Sequence, residues 1–164
     1  MSNLAMPKID RKLISKKADI VVDLKKIIKA ENILDHEDQI RPFETDALSA
    51  YKQKPLVVVF PENTKEVSKI LSYCNQEGIK VVPRGAGTGL SGGALPLEDC
   101  VLLCLGKFNK IINIDYKNRC VVAQPGVTNL SITKAVEEKG FYYAPDPSSQ
   151  IACSIGGNVA ENSG

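Results

Sequence analysis

The sequence predicts an α+β fold, because short apolar strands and helical segments alternate along most of its 164 residues. Residues 55–61 form a continuous apolar run between two prolines, which is typical of a buried strand. A helical pattern and a second strand follow at once, and residues 111–124 show the pattern of a hairpin. With 43% hydrophobic residues and a net charge of +2, the chain has the composition of a globular domain.

Charge and hydropathy exclude several functional classes. The 21 basic and 19 acidic residues give no electrostatic footprint for nucleic acid. No stretch approaches the roughly 20 apolar residues of a membrane span, and residues 1–17 lack the apolar centre of a signal peptide. Five cysteines, an odd number without an export signal, favour reduced thiols and a cytoplasmic location.

The chain divides into an N-terminal segment, residues 1–54, and a regular region, residues 55–164. In the first, apolar spacing predicts an amphipathic helix over residues 19–31, and residues 36–54 are polar and aperiodic like a connecting loop. In the second, the 55–61 strand precedes a helix that begins after Asn63 and ends at Gly78. Strands are then predicted over 79–83 and 100–105.

The remaining elements form a second strand-and-helix module. Residues 111–115 and 119–124 predict a hairpin with its turn at 116–118. Asn129 is expected to cap a helix that ends at Gly140, and residues 141–143 are expected to form a short strand. From Ala144 onward the chain is rich in Pro, Ser, Gly and Asn and has almost no periodicity.

The glycine-rich loop, residues 84–93, carries the strongest functional signal. Its glycines follow a predicted strand directly and let backbone N–H groups converge on an anion. The loop is not a P-loop, because Gly93 and Ala94 stand where Lys and Ser/Thr are required. Gly87, Gly89 and Gly92 fit a dinucleotide fingerprint by spacing, but Pro96 comes too early for the helix that motif needs. We expect a site for a diphosphate.

A second polar region, residues 144–150 and 154–164, is the other candidate site. Its prolines stiffen the backbone and its Asp and Ser side chains offer hydrogen-bonding groups. An ordinary turn followed by a disordered tail remains an equally good interpretation of these residues alone.

Cys100 and Cys104 flank an apolar strand and would lie about 13 Å apart, too far for one zinc ion. His36 lies among acidic residues, as expected of an exposed imidazole, and we expect no metal site.

Residues 83–96, 143–149 and 153–163 together resemble the FAD-linked oxidase family, whose fold is that of vanillyl-alcohol oxidase. The resemblance is strongest to glycolate oxidase D-type subunits and FAD-linked D-lactate dehydrogenases. It implies the N-terminal part of an FAD-binding domain of two α+β subdomains, here about 55–108 and an incomplete 109–164. The residues that it places at the cofactor are Arg84, Gly85, Ala86, Gly87, Thr88, Ser91, Gly92, Gly93, Pro145, Asp146, Ser148, Ser149, Ser154, Gly156, Gly157, Asn158 and Ala160.

The same resemblance implies a chemistry and partners. Thr88 stands where some members have a histidine that attaches FAD covalently, so a non-covalent flavin is implied. The implied reaction is oxidation of a D-2-hydroxy acid, such as glycolate or D-lactate, to the 2-oxo acid by hydride transfer to flavin. The implied substrate domain lies outside this sequence, and no catalytic residue is assigned within it. An iron–sulfur subunit and a second flavin-type subunit are the implied partners.

Two alternatives remain open at this point. The chain could be a catalytically inactive flavin- or nucleotide-binding module, or a truncated remnant of an oxidase. It could also resemble the flavin-binding reductase of cell-wall precursor synthesis, although residues 145–149 favour the hydroxy-acid branch.

Overall fold

The computed structural model describes residues 7–163 and confirms the predicted α+β class. It contains a four-stranded sheet in the order β1-β2-β4-β3 and a separate two-stranded hairpin, β5-β6. The strands are β1 Ile33–Leu34, β2 Val57–Val59, β3 Lys80–Arg84, β4 Cys100–Cys104, β5 Ile111–Asp115 and β6 Cys120–Ala123. The helices are α1 Arg11–Ser15, α2 Lys17–Lys25, α3 Glu37–Ile40, α4 Thr64–Gln76, α5 Asn129–Val136 and α6 Ile155–Glu161.

The predicted strand–helix–strand unit is present, and a strand that comes later in the chain lies between its two strands in the sheet. Strands β2, β4 and β3 are parallel, and β4 lies between the other two. Helix α4 begins where predicted, because the Asn63 side chain accepts a hydrogen bond of 3.0 Å from the Glu66 N–H. Gly78 has a φ of +66°, a conformation that glycine adopts without strain, and it turns the chain from α4 into β3.

The central sheet is covered on both faces, which explains its nearly continuous apolar strands. Helices α2 and α4 pack on one face against Val57, Val59, Val101 and Leu103. On the other face, Val58 and Leu102 pack with Ile40 of the N-terminal segment. Because β3 and β4 are parallel, their carboxyl ends lie at the same edge of the sheet, and the glycine-rich loop begins there.

The N-terminal segment is more structured than the sequence predicts. Helix α2 ends at Lys25 and not at residue 31, because the chain turns there and brings Ile28 into the core, where it is 3% exposed. Strand β1 then pairs antiparallel with β2. Residues 36–54 contain α3 and a 3₁₀ turn, Arg41–Phe43, so the prediction of a plain loop is wrong there.

In the second module the hairpin is confirmed, but two details differ. The side chain that caps α5 belongs to Thr128, which accepts a hydrogen bond of 3.2 Å from the Ser131 N–H, and not to Asn129. Residues 141–143 are not a strand: the Tyr143 N–H donates to the Thr133 hydroxyl at 3.0 Å and so is bound by a helix. Gly140, with a φ of +75°, ends the helical stretch as predicted.

Helix α6 occupies the region in which no periodicity is visible. Ser154 caps it, and the N–H groups of Ile155 and Gly156 donate at 2.8 Å to the carbonyls of Val127 and Pro125. These contacts fix the start of a helix that its own glycines disfavour. None of the helices in residues 7–163 is long and apolar enough to cross a membrane.

Candidate functional site

The two polar regions that the sequence singles out face each other across one cleft of about 510 Å³. The cleft opens at the carboxyl end of β3, between the glycine-rich loop and the first turns of α6. Fourteen of the residues implied by the resemblance line it: Arg84, Gly85, Ala86, Gly87, Thr88, Ser91, Gly93, Ser148, Ser149, Ser154, Gly156, Gly157, Asn158 and Ala160.

Three of the implied residues do not line the cleft. Gly92, with a φ of +77°, turns the loop back toward the N-terminal segment, where a Cβ on it would contact Leu48 at 3.6 Å. The Pro145 carbonyl is bound by the Asn129 side chain at 3.0 Å, and Asp146 is bonded to Gln150. These residues shape the loops from outside the cleft.

The glycine-rich loop presents an unusual number of free donors. Within residues 7–163, no backbone N–H from 85 to 94 donates a hydrogen bond to another protein group. Two of the loop carbonyls do accept: Gly87 from the Ala47 N–H at 2.9 Å, and Gly92 from the Leu95 N–H at 3.2 Å. Backbone donors that are left free on a glycine-rich turn are the usual means of binding an anion.

Helix α6 does not offer the same chemistry. The N–H groups of Ile155, Gly156 and Asn158 donate to the carbonyls of Val127, Pro125 and Ser154. The Gly157 N–H faces the Ser154 hydroxyl at 3.4 Å. The start of this helix is therefore committed to the protein, and the anion-binding capacity of the cleft lies on the glycine-rich loop.

The two sides of the cleft touch each other at glycines. A Cβ on Gly85 would lie 2.3 Å from the Ser154 hydroxyl oxygen, and a Cβ on Gly93 would lie 2.5 Å from a carboxylate oxygen of Glu161. A Cβ on Gly156 would lie 2.7 Å from the Pro125 side chain and 3.0 Å from its carbonyl oxygen. The restriction is strictest at Gly156, where the close atoms belong to the ring and backbone of Pro125, whereas at Gly93 the exposed Glu161 side chain can move aside.

Two cleft features were not predicted: the carboxylate of Glu161, and the unpartnered oxygen of Asn158, a residue that the resemblance does place at the cofactor. The carboxylate of Glu161 lies beside Gly93 and brings a negative charge to the loop that carries the free donors. Asn158 is 5% exposed, and its side-chain N–H donates to the Ser163 carbonyl at 3.2 Å, but its Oδ1 has no partner among residues 7–163. Nothing in the spacing of residues 154–163 indicates which side chains face the cleft, since α6 itself is not visible in the sequence.

Asn129 is a further residue whose role the sequence does not reveal. It is fully buried, its side chain donates to the Pro145 carbonyl, and its backbone N–H donates to the Cys153 carbonyl at 3.0 Å. The neighbouring Leu130 N–H donates to the Gln150 carbonyl at 3.1 Å. The start of α5 thus holds residues 145–153 at the rim of the cleft.

Four of the five cysteines are buried, and Cys120 and the one histidine are exposed. No cysteine is in a disulfide, and burial raises the pKa of Cys100 to about 11 and that of Cys104 to about 12. The His36 side chain is 84% exposed. Among residues 7–163 there is no cluster of His, Cys, Asp and Glu that could hold a metal ion.

Comparison with known proteins decides which family this geometry represents. The family described as "FAD binding domain" matches residues 55–164. The chain belongs to this FAD-binding family. The match begins just before β2 and includes both sides of the cleft.

Individual relatives agree with the family. The chain is 49% identical over 160 residues to glycolate oxidase subunit GlcD of Escherichia coli (strain K12), covering 98% of this chain and 31% of the relative. It is 37% identical over 140 residues to D-lactate dehydrogenase of Anaerostipes hadrus, covering 85% of this chain and 29% of the relative. The chain therefore spans about three tenths of the length of these curated relatives.

A solved structure shows the same fold. The structure of p-cresol methylhydroxylase with substrate bound superposes with a TM-score of 0.77 at 22% identity, covering 91% of this chain and 30% of the other. Together with the family match, this identifies the fold as the N-terminal part of an FAD-binding domain of the vanillyl-alcohol oxidase type.

Proposed function

We propose that this chain is the diphosphate-binding portion of an oxidoreductase that converts a D-2-hydroxy acid, of the glycolate or D-lactate type, to the 2-oxo acid. The observation that carries the proposal is the row of unpartnered backbone N–H groups over residues 85–94, at the mouth of a cleft inside an FAD-binding domain. The substrate class rests on the 49% identity to a glycolate oxidase subunit.

The residues of the cleft fit the diphosphate of FAD. Free N–H donors on glycines allow close approach of an anion without a side chain in between. The partnerless Oδ1 of Asn158 is a buried acceptor, and such an atom is costly unless a bound donor, such as a ribityl hydroxyl, satisfies it. Thr88, Ser91 and Ser149 add hydroxyl groups along the lining.

Each side of the cleft has a distinct role in this proposal. The main-chain N–H groups of residues 85–93 bind the diphosphate, and Ser148 and Ser149 border the cofactor. Gly156 and Gly157 border the cofactor on the α6 side, and the missing side chain of Gly156 makes room for Pro125. When bound, FAD supplies the acceptor for the hydride of the substrate carbon, and this part of the chain supplies binding and orientation.

We propose that the flavin is held without a covalent bond, because Thr88, which lines the cleft, stands where the resemblance implies a histidine in members that attach FAD covalently. A threonine hydroxyl is a poor nucleophile toward a flavin methyl group. Acid precipitation of flavin-loaded protein tests this point: all yellow colour is expected in the supernatant, and flavin retained in the pellet would contradict it.

The remaining proposals concern the whole protein. We propose that the cleft lies between two subdomains, residues 55–108 and 109–164, and that substrate binding and the catalytic base come from a separate domain. We further propose a cytoplasmic location, supported by free cysteines, and assembly with an iron–sulfur subunit and a second flavin-type subunit.

A chimera tests whether this chain supplies a working cofactor-binding part for this reaction. Residues 1–164 replace the matching part of the E. coli GlcD relative, and glycolate-, D-lactate- and L-lactate-dependent dye reduction is measured with the natural relative as the positive control. We expect dye reduction with glycolate, with D-lactate or with both, and little dye reduction with L-lactate. A folded, FAD-loaded chimera that reduces dye with none of them would contradict the proposed reaction and favour an inactive flavin-binding module.

A further inference from the structure

The side chain of Arg84, at the end of β3, is bound to the N-terminal segment. Its Nη1 donates to the Thr45 carbonyl at 2.8 Å and faces the Phe43 carbonyl at 3.4 Å. Its guanidinium carbon lies 5.7 Å from the centre of the Phe43 ring, a cation–π distance. Within residues 7–163, no carboxylate forms an ion pair with it. The guanidinium thus binds two carbonyls and a ring that all precede the matched FAD-binding region.

The same segment reaches the glycine-rich loop at two further points. The Ala47 N–H donates to the Gly87 carbonyl at 2.9 Å, and Leu48 lies beside Gly92. A Cβ on Gly87 would lie 2.4 Å from Nη2 of Arg84, so the bare backbone of Gly87 covers the guanidinium. Residues 43–48 therefore contact the loop at its beginning, middle and end.

These contacts anchor the loop to the N-terminal segment. The Ala47–Gly87 bond is the single long-range backbone hydrogen bond of residues 85–94 within the described chain. The segment is itself held rigid, since Asp46 is 5% exposed and its Oδ1 accepts from the Leu48 N–H at 2.9 Å. A loop whose donors are free for a ligand loses less entropy on binding when its carbonyl side is already anchored.

We propose that Arg84 is a positioning residue for diphosphate binding, and that residues 43–48 are part of the cofactor site although they do not line it. The guanidinium anchors the segment, and the segment fixes the row of N–H donors. The guanidinium of Arg84 binds the two carbonyls and the Phe43 ring, and it does not bind a phosphate. This inference rests on the proposed diphosphate site.

Two substitutions separate anchoring from charge. Arg84→Lys keeps the positive charge but lacks the planar group that bonds to two carbonyls and stacks between Gly87 and Phe43. Arg84→Met removes both the positive charge and the planar group. Dissociation constants for ADP are measured by calorimetry at several salt concentrations, well below each thermal midpoint. Arg119→Met, in the hairpin turn outside the cleft, is the matched control for loss of one arginine charge.

We expect both Arg84 substitutions to weaken ADP binding by a similar factor, about tenfold or more, which is the loss expected for hydrogen bonds made by a charged group. The dependence of log Kd on log salt should stay as in the natural protein. Phe43→Leu, which leaves Arg84 intact, should weaken binding about threefold and speed hydrogen exchange at the Ala47 amide. Arg119→Met should bind ADP normally.

Other outcomes would overturn the inference. Natural affinity in Arg84→Lys would show that charge alone suffices. A salt slope that falls by about one in Arg84→Met but not in Arg84→Lys would show an ion pair between guanidinium and phosphate. Unchanged ADP affinity in Phe43→Leu would show that the N-terminal segment is not part of the cofactor site. Failure of the natural protein to bind ADP at all is a different result, because it would contradict the proposed function itself.

Discussion

The contact between Gly85 and Ser154 joins the two sides of the cleft, and a double-mutant cycle can measure it. A methyl group on Gly85 would sit 2.3 Å from the Ser154 hydroxyl oxygen but 3.5 Å from its Cβ, so the overlap is with the hydroxyl alone. Forcing a methyl group into a packed contact costs about 1–3 kcal/mol. Gly85→Ala should therefore lower the free energy of unfolding by about 2 kcal/mol.

Ser154→Ala removes the overlapping atom together with the cap of α6. The hydroxyl lies 3.4 Å from the Gly157 N–H, which is long for a capping bond, so the loss should fall near the lower end of the usual range, about 0.5 kcal/mol. In the Ser154→Ala background, Gly85→Ala should cost little. The two substitutions should thus be strongly non-additive, with a coupling of about 1–2 kcal/mol.

Urea unfolding followed by circular dichroism gives the four free energies of the cycle. Gly106→Ala is the control for the change from glycine to alanine, because no atom lies within 4 Å of its Cβ position and its φ is not positive. It should be neutral or slightly stabilising. Additive effects of Gly85→Ala and Ser154→Ala would contradict the predicted contact between these two residues.

Three further predictions follow from other contacts. Hydrogen bonds from Asn32 and from two lysines lower the pKa of Glu62 from 4.5 to about 2, so its stabilisation is complete above about pH 4.5 and disappears as the pH falls toward 2. Glu62→Gln should lower the thermal midpoint at pH 7 and flatten its decline in acid; an unchanged acid profile would contradict this. Glu161→Gln should tighten ADP binding about fivefold at low salt, because one negative charge leaves the anion site; weaker binding would instead assign Glu161 a bond to the ligand. Gly126→Ala should unfold or severely destabilise the protein in a thermal melt, since its Cβ would lie 2.5 Å from the Leu105 carbonyl oxygen; a midpoint close to that of the natural protein would show that this contact can relax.

Local patterns were sufficient to predict the first module and the glycine-rich loop. The apolar run of residues 57–59 and the Asn63 cap each depend on neighbours in sequence, and both are present as predicted. The absence of a helix directly after the loop was likewise predictable, because Pro96 follows too closely. Each of these signals acts within a few residues of the element that it starts or excludes.

Elements that depend on distant partners were not predictable. Helix α6 begins because Pro125 and Val127 supply carbonyls to it, and its sequence of adjacent glycines gives no sign of a helix. The partners of the Arg84 guanidinium lie about 40 positions away in sequence, so the residue could be expected at the site but its role could not. Fourteen of the seventeen expected cofactor residues line one cleft, and whether they bind FAD remains a prediction.

The most direct test of the central claim is a titration of the ¹⁵N-labelled chain with ADP, followed through its backbone amide resonances. We expect saturable shifts that begin together at residues 85–93 and at Asn158, while the amides of the hairpin turn, residues 116–119, which lie outside the cleft, stay in place. Shifts confined to residues outside the cleft, or no saturable shift at all, would contradict the claim that the glycine-rich loop binds the diphosphate in the cleft that it forms with α6.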